Sequence, residues 1–296
     1  MIKRSHFSSK TLAYLLITPQ VLVTLTFFYW PALQGLIQSV MLSDPFGQHS
    51  RFIWFDNFIT IFRDPLYLKS VVLTLVFSLA TATTSIAFGL FIASLANRAL
   101  RAKALIRTML IWPYAVAPAI SGILWLFLLH PSFGVVAFFL RRRLGIDWNP
   151  VLSGTDAFIM VVLASAWKEV SYNFVFFMAG LQAVPHSLIE AASMDGAGPI
   201  RRFWTITFPL LSPTLFFLMV MNIIYAFFET FGVIHTVTQG GPGGATNILV
   251  YKVYQDGFIG LNLGSSAAQS VVLMILIVTI TVLQFRFVER KVQYSL

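Results

Sequence analysis

Two charged residues, Lys168 and Glu169, stand side by side in an otherwise apolar run, ASAWKEVSYNFVFF. A charge inside a membrane-length apolar segment is costly unless it is paired or hydrated, so it is a functional candidate by default. The chemistry on offer is recognition: an ammonium there can attract a phosphate. Two readings stand. Either Lys168 lines a translocation path, or the two charges form a local arrangement within a helical bundle. Neighbouring helical residues point about 100° apart, so the pair need not face each other. Ser171, Tyr172 and Asn173 add polar groups along the same run. A second constellation is Asn222, Tyr225 and Glu229, spaced i, i+3, i+7 on one helical stripe. Such a stripe either lines a water-filled cavity or bonds to neighbouring helices.

Other chemistries find no support. The Gly240–Gly244 cluster lacks the Gly-Lys-Ser/Thr ending of a phosphate-binding loop and suits turn chemistry instead. The histidines, His6, His49, His130, His186 and His235, are dispersed and have no metal-ligand spacing. Cysteine is absent, which removes disulfides and thiolate metal sites. No Gly-x-Ser-x-Gly elbow is present.

The elements that must position these residues follow from composition. Of 296 residues, 57% are hydrophobic and only 10% charged, against about a quarter charged in a soluble domain. The apolar residues fall in repeated long runs, which predicts an all-α membrane protein with six transmembrane helices. The expected spans are residues 11–36, 67–96, 105–129, 155–181, 209–231 and 264–287, flanked by a segment 1–10 and a tail 289–296. Pro113 and Pro118 interrupt the third span, and Pro209 and Pro213 open the fifth, as hinges or as packing bends. Residues 43–64 and 232–262 read as the longest polar loops. With both termini cytoplasmic, the inner side carries Lys3, Arg4, Lys10, Arg98, Arg101, Lys103, Arg107, Arg201, Arg202, Arg286, Arg290 and Lys291. The outer loops are then about neutral, as the positive-inside rule requires. The run Arg141–Arg143 is the exception, as a solvated face or a contact for an acidic binding protein. The net charge of +9 is thereby explained without nucleic acid.

One polar segment between the fourth and fifth spans has its own punctuation, EAASMDGAGPIRRFWTITFP from Glu190 to Pro209. Pro185 ends the preceding element, and Ser187 with Glu190 makes a capping box. A helix of about two turns through Met194 should stop at Gly196 and Gly198, because glycine accepts a left-handed backbone. Ile200, Phe203, Trp204 and Ile206 then suit a second amphipathic turn.

That segment resembles the EAA loop of the membrane subunits of ABC importers. Glu190, Ala191, Ala192, Asp195, Gly196, Ala197, Phe203, Ile206 and Pro209 match the family pattern, while Phe208 stands where leucine is usual. Asp56-Asn57-Phe58, LIWPYAVAP (110–118), AGLQAVP (179–185) and TQGGPGGAT (238–246) are similar to carbohydrate-type permeases over nearly the whole chain. WKEVSYNFVFF (167–177), SLIEAASMDGAGPIRRF (187–203) and SSAAQSVVL (265–273) carry a narrower likeness to permeases of sn-glycerol-3-phosphate importers.

The resemblance implies a non-catalytic permease in a bacterial inner membrane, with the loop at 186–209 docking on an ATP-binding subunit. It implies a second homologous permease, two ATP-binding subunits that hold the ATP and Mg, and an external substrate-binding protein. The cargo would be glycerol-3-phosphate or related glycerophosphodiesters, with a neutral sugar as the alternative. An ion-coupled secondary transporter is the rival from another class. It would need intramembrane relays, for which only Glu169 and Glu229 offer themselves.

Overall fold

The computed structural model describes residues 10–43, 50–98 and 108–289. Lys3, Arg4, residues 44–49, Arg101, Lys103 and Arg107 with the start of the third span, and the tail from 290 lie outside the described residues. The chain divides into two compact units, Met1–Asp64 with Val253–Val272, and Pro65–Lys252 with Leu273–Leu296.

In the first unit, α1 (Lys10–Thr24) runs through a π turn (Leu25–Tyr29) into α2 (Trp30–Ser39). A short antiparallel hairpin, β1 (Met41–Ser43) with β2 (Ser50–Phe52), and α3 (Asp56–Arg63) follow. The side chain of Asn57 fastens them, its Nδ2 donating to the carbonyls of Ser39 (2.9 Å) and Met41 (3.0 Å). Gly264 completes the joint, because a Cβ there would collide with the Met41 carbonyl and approach the Asn57 amide to 3.0 Å.

The second unit is organised on two long helices, α4 (Pro65–Arg98) and, after α5 (Pro118–Leu129) and α6 (Val135–Leu144), α7 (Gly154–Ala183). Without a hydrophobic drive between helices in lipid, small residues permit close packing. Gly89 of α4 meets Asn173 of α7, where an added Cβ would lie 2.6 Å from the Asn173 Cβ. After α7 come α8 (His186–Met194), α9 (Pro199–Arg202), a π turn (Phe203–Thr207), α10 (Phe208–Leu210) and α11 (Ser212–Phe228). Gly180 brings α7 against Leu211 and Thr214, and Ala93, Phe174, Phe177, Met178, Leu181 and Leu218 fill the core there. The region 232–262 is not plain loop. It contains α12 (Phe231–Val237) and α13 (Leu249–Tyr254), then, in the returning segment of the first unit, a π turn (Gln255–Ile259) and the start of α14 (Leu263–Leu283).

Residues 11–39, 65–97 and 263–287 form helices long and apolar enough to cross a membrane. Three helix pairs pass the same length and composition test together but are bent: residues 108–115 with 118–129 turn by 108°, 154–183 with 186–194 by 66°, and 199–210 with 212–228 by 67°. Counted as one span each, they bring the number to six. The prolines account for the breaks. Pro113 and Pro118 bracket the first, Pro185 lies at the second, and Pro209 and Pro213 flank the third.

Candidate functional site: coupling loop and mid-span cluster

The loop at 186–209 departs from the expected capping box. Pro185, in extended backbone, is itself the N-cap, α8 starts at His186, and no side chain caps it. Proline fixes its own φ and lacks an N–H, so the chain turns directly into the helix and leaves Ser187 inside the first turn. The C-terminus agrees with the glycine expectation at one of two positions. Gly196 is left-handed at φ +78°. Its N–H donates to Ser193 O (3.1 Å) and that of Ala197 to Ala192 O (2.9 Å), the paired bonds of a Schellman motif. Gly198 instead has φ −67° and ψ 164°, because Pro199 holds the residue before it extended.

Glu190 and Ala191 are exposed on α8, and Asp195 is its C-cap. Ile206 is half-buried in the π turn, and Pro209 stands in the first turn of α10. Large apolar side chains nevertheless face outward along this loop: Met194 is 89% exposed and Ile200 76%. Behind it, a cleft of about 440 Å³ lined by Ser94, Asn97, Leu181, His186, Ile189 and Arg202 separates α8 from the end of α4. The loop is thus internally capped, carries large apolar side chains on its outer surface, and meets the end of α7 at a 66° bend.

The second group lies midway along α7. Lys168 is only 7% exposed. Its ammonium sits 5.0 Å from the ring centre of Tyr114 and 5.5 Å from that of Tyr225, a cation–π cage. The cage exists because the helix breaks at Val116, whose extended backbone ends the 3₁₀ turn Trp112–Ala115 carrying Tyr114. Tyr114 also stacks on Tyr172 (5.5 Å), and Trp167 contacts both Trp112 (6.5 Å) and Trp125 (6.4 Å). Glu169 is buried, within electrostatic range of Lys168, Glu229, Tyr172 and Tyr225. Glu229 is the exposed C-cap of α11.

Asn173 and Asn222 belong to a different arrangement. Their amides bond reciprocally, at 3.1 Å and 2.7 Å, and Ser85 Oγ lies 2.6 Å from Asn222 Oδ1. All three are buried, and together they tie α4, α7 and α11. The polar stripe on α11 therefore divides: Asn222 locks helices, while Tyr225 walls the lysine cage and bonds to Ser165 O (3.4 Å). Chemically, the cage holds a positive charge between two aromatic faces.

Residues 85–294 match the family described as "Binding-protein-dependent transport system inner membrane component". The chain belongs to this family. Among relatives of this transport-system component, the sn-glycerol-3-phosphate transport system permease protein UgpA of Rhizobium meliloti (strain 1021) is 56% identical over 99% of this chain and 100% of its own length. That of Yersinia enterocolitica serotype O:8 is 51% identical over 99% of each chain. A solved bacterial ABC transporter involved in import of the acidic polysaccharide alginate is similar in fold, with TM-score 0.80 at 20% identity, covering 95% of this chain and 96% of that one. The MetNI methionine ABC transporter is more distant, at TM-score 0.53 and 19% identity over 77% of this chain and 97% of that one.

Two participants of this inner membrane component's mid-span cluster escaped the sequence reading. Tyr114 sat inside the quoted LIWPYAVAP stretch, and an aromatic beside a proline-broken span was the available signal. Ser85 carried none, since a serine in an apolar helix ordinarily bonds its own backbone.

Proposed function

We propose that this chain is one translocation half of an ATP-driven importer for sn-glycerol-3-phosphate or related glycerophosphodiesters. The observation that carries the reading is the exposed helix α8, ended by a Schellman motif and set at 66° to α7. The relatives named for glycerol-3-phosphate transport support the cargo. A second homologous permease completes the pathway, a binding protein delivers the solute, and two ATP-binding subunits hold ATP and Mg. The termini and the loop 186–209 face the cytoplasm.

In this reading Glu190, Ala191, Ala192, Asp195, Gly196, Ala197, Ile206 and Pro209 form and anchor the docking surface for the motor. Closure of the motor subunits displaces α8. Displacement passes into α7 through the Pro185 joint, because packed helices shift as units. Lys168 lies 15 positions before Ala183, the last residue of the same helix, so the cage moves with the lever. Lys168 attracts the phosphate, Tyr172 and Tyr225 face the glycerol moiety, and Glu169 and Glu229 shape the field. Asn173 and Asn222 keep the wall intact.

The aromatic walls also favour a second reading, a neutral sugar, since ring faces pack well against pyranose C–H groups. The experiment is ATP hydrolysis by the reconstituted assembly with its binding protein, offered glycerol-3-phosphate or neutral sugars. Stimulation by glycerol-3-phosphate alone is expected. Stimulation by a sugar alone would replace the cargo, and an intact assembly without ATP hydrolysis under any condition would remove the importer reading.

A further inference from the structure

The arginine run that broke the charge asymmetry has a structural setting. Helix α6 docks through Ala137, which is buried, and Leu140, which packs against a cluster containing Leu129, Trp148 and Met160. Its other flank presents Val135, Phe138, Phe139 and Arg142, one stripe by their i, i+3, i+4, i+7 spacing. Val135 is 74% exposed and Phe138 60%. Between Phe138, Phe139, Arg142 and Arg143 lies a groove of about 440 Å³. Arg142 spreads over the Phe138 ring at 5.5 Å, and Arg141 is tied back to Pro131 O at 3.2 Å. The nearest acid in sequence, Asp147, is exposed beyond the helix end. The groove therefore joins an aromatic floor to two guanidinium groups.

Position narrows the occupant. Helix α6 links the end of α5 to the start of α7, where apolar spans give way to polar chain. The 30 residues of α7 separate this end from the coupling helix by about 45 Å at 1.5 Å per residue. That is the full thickness of a bilayer with its headgroups. We infer that the groove binds one anionic phospholipid of the external leaflet, its phosphate held by Arg142 and Arg143 and its upper acyl chain lying on Phe138 and Phe139. The leaflet rests on the proposed cytoplasmic placement of α8. Guanidinium forks match phosphate oxygens in pairs, and an arginine stem lying along an aromatic surface with its head at the headgroup level is a stable interfacial arrangement. An acidic protein face would satisfy the arginines but leave the aromatic floor in water.

The test uses the purified assembly, with its partner subunits, in nanodiscs. Phosphatidylglycerol is titrated into a phosphatidylcholine background, and bound lipid is counted by native mass spectrometry. The double variant Arg142→Gln/Arg143→Gln should weaken phosphatidylglycerol binding roughly thirtyfold, from the attraction typical of a basic residue at an anionic surface. Phe138→Ser, with both arginines intact, should weaken it severalfold and leave the melting temperature of the assembly unchanged. Unaltered lipid occupancy in the double variant overturns the inference. So does equal competition by water-soluble glycerophosphoglycerol, which would make the groove a free phosphate-ester site. Loss of binding-protein affinity with lipid occupancy retained would also overturn it, in favour of protein docking. ATP hydrolysis measured on the same samples reports on the importer reading separately.

Discussion

At the scale of single residues, the mid-span cluster separates into a binding group and a locking group. Lys168 is the proposed binding group. Its replacement in Lys168→Ala removes a charge-assisted contact, so uptake should fall about tenfold or more while assembly and basal ATP hydrolysis persist. Uptake at the parental rate by this variant would exclude it from the path. Asn222 is a lock. Asn222→Ala orphans the Asn173 amide and should cost roughly 1 kcal/mol, the scale of interhelical hydrogen bonds in membranes. A thermal melt of the assembly in detergent reads this, and an unchanged midpoint would deny the amide pair a structural role. The sequence marked Lys168 and Asn222 alike, because both are polar in apolar runs. It could not separate them, since the partner amide of Asn222 lies 49 positions away and no local pattern announces such a pairing.

At the scale of elements, α8 depends on one backbone conformation. Gly196 sits at φ +78° with nothing within 4 Å of where a Cβ would stand, so space is no obstacle and strain alone decides. Gly196→Val should reduce solute-stimulated ATP hydrolysis by about tenfold, because a β-branched residue resists positive φ at a cost of roughly 1–3 kcal/mol. Gly196→Asn should retain most of it, asparagine being tolerant of the left-handed region. Equal activity in all three proteins would refute the lever. The stop at Gly196 and the proline breaks were legible because those residue types act locally. The capping box failed because Pro185 competed for the same turn and prevailed. Helices α12 and α13 were missed because each is shorter than the window over which a 3.6-residue period can be recognised.

At the scale of the molecule, apolar run lengths foretold the helical spans, while the grouping of the chain into units stayed hidden. Contacts such as Gly264 with Met41 and Asn57 join segments more than 200 positions apart, beyond any periodicity argument. The whole-molecule prediction concerns energy source. Proteoliposomes loaded with ATP should accumulate solute at an undiminished rate after ionophores collapse every ion gradient. A rate that follows the gradient instead would point to an ion-coupled carrier.

The indole ladder of Trp112, Trp167 and Trp125 spans the broken third helix and the lysine-bearing helix α7. Chromophores this close share their excited states, and the coupling depends steeply on separation and tilt. Any change in the angle of that break therefore alters near-ultraviolet circular dichroism and tryptophan emission without an added label. The indole cluster is therefore a built-in optical gauge of that bend.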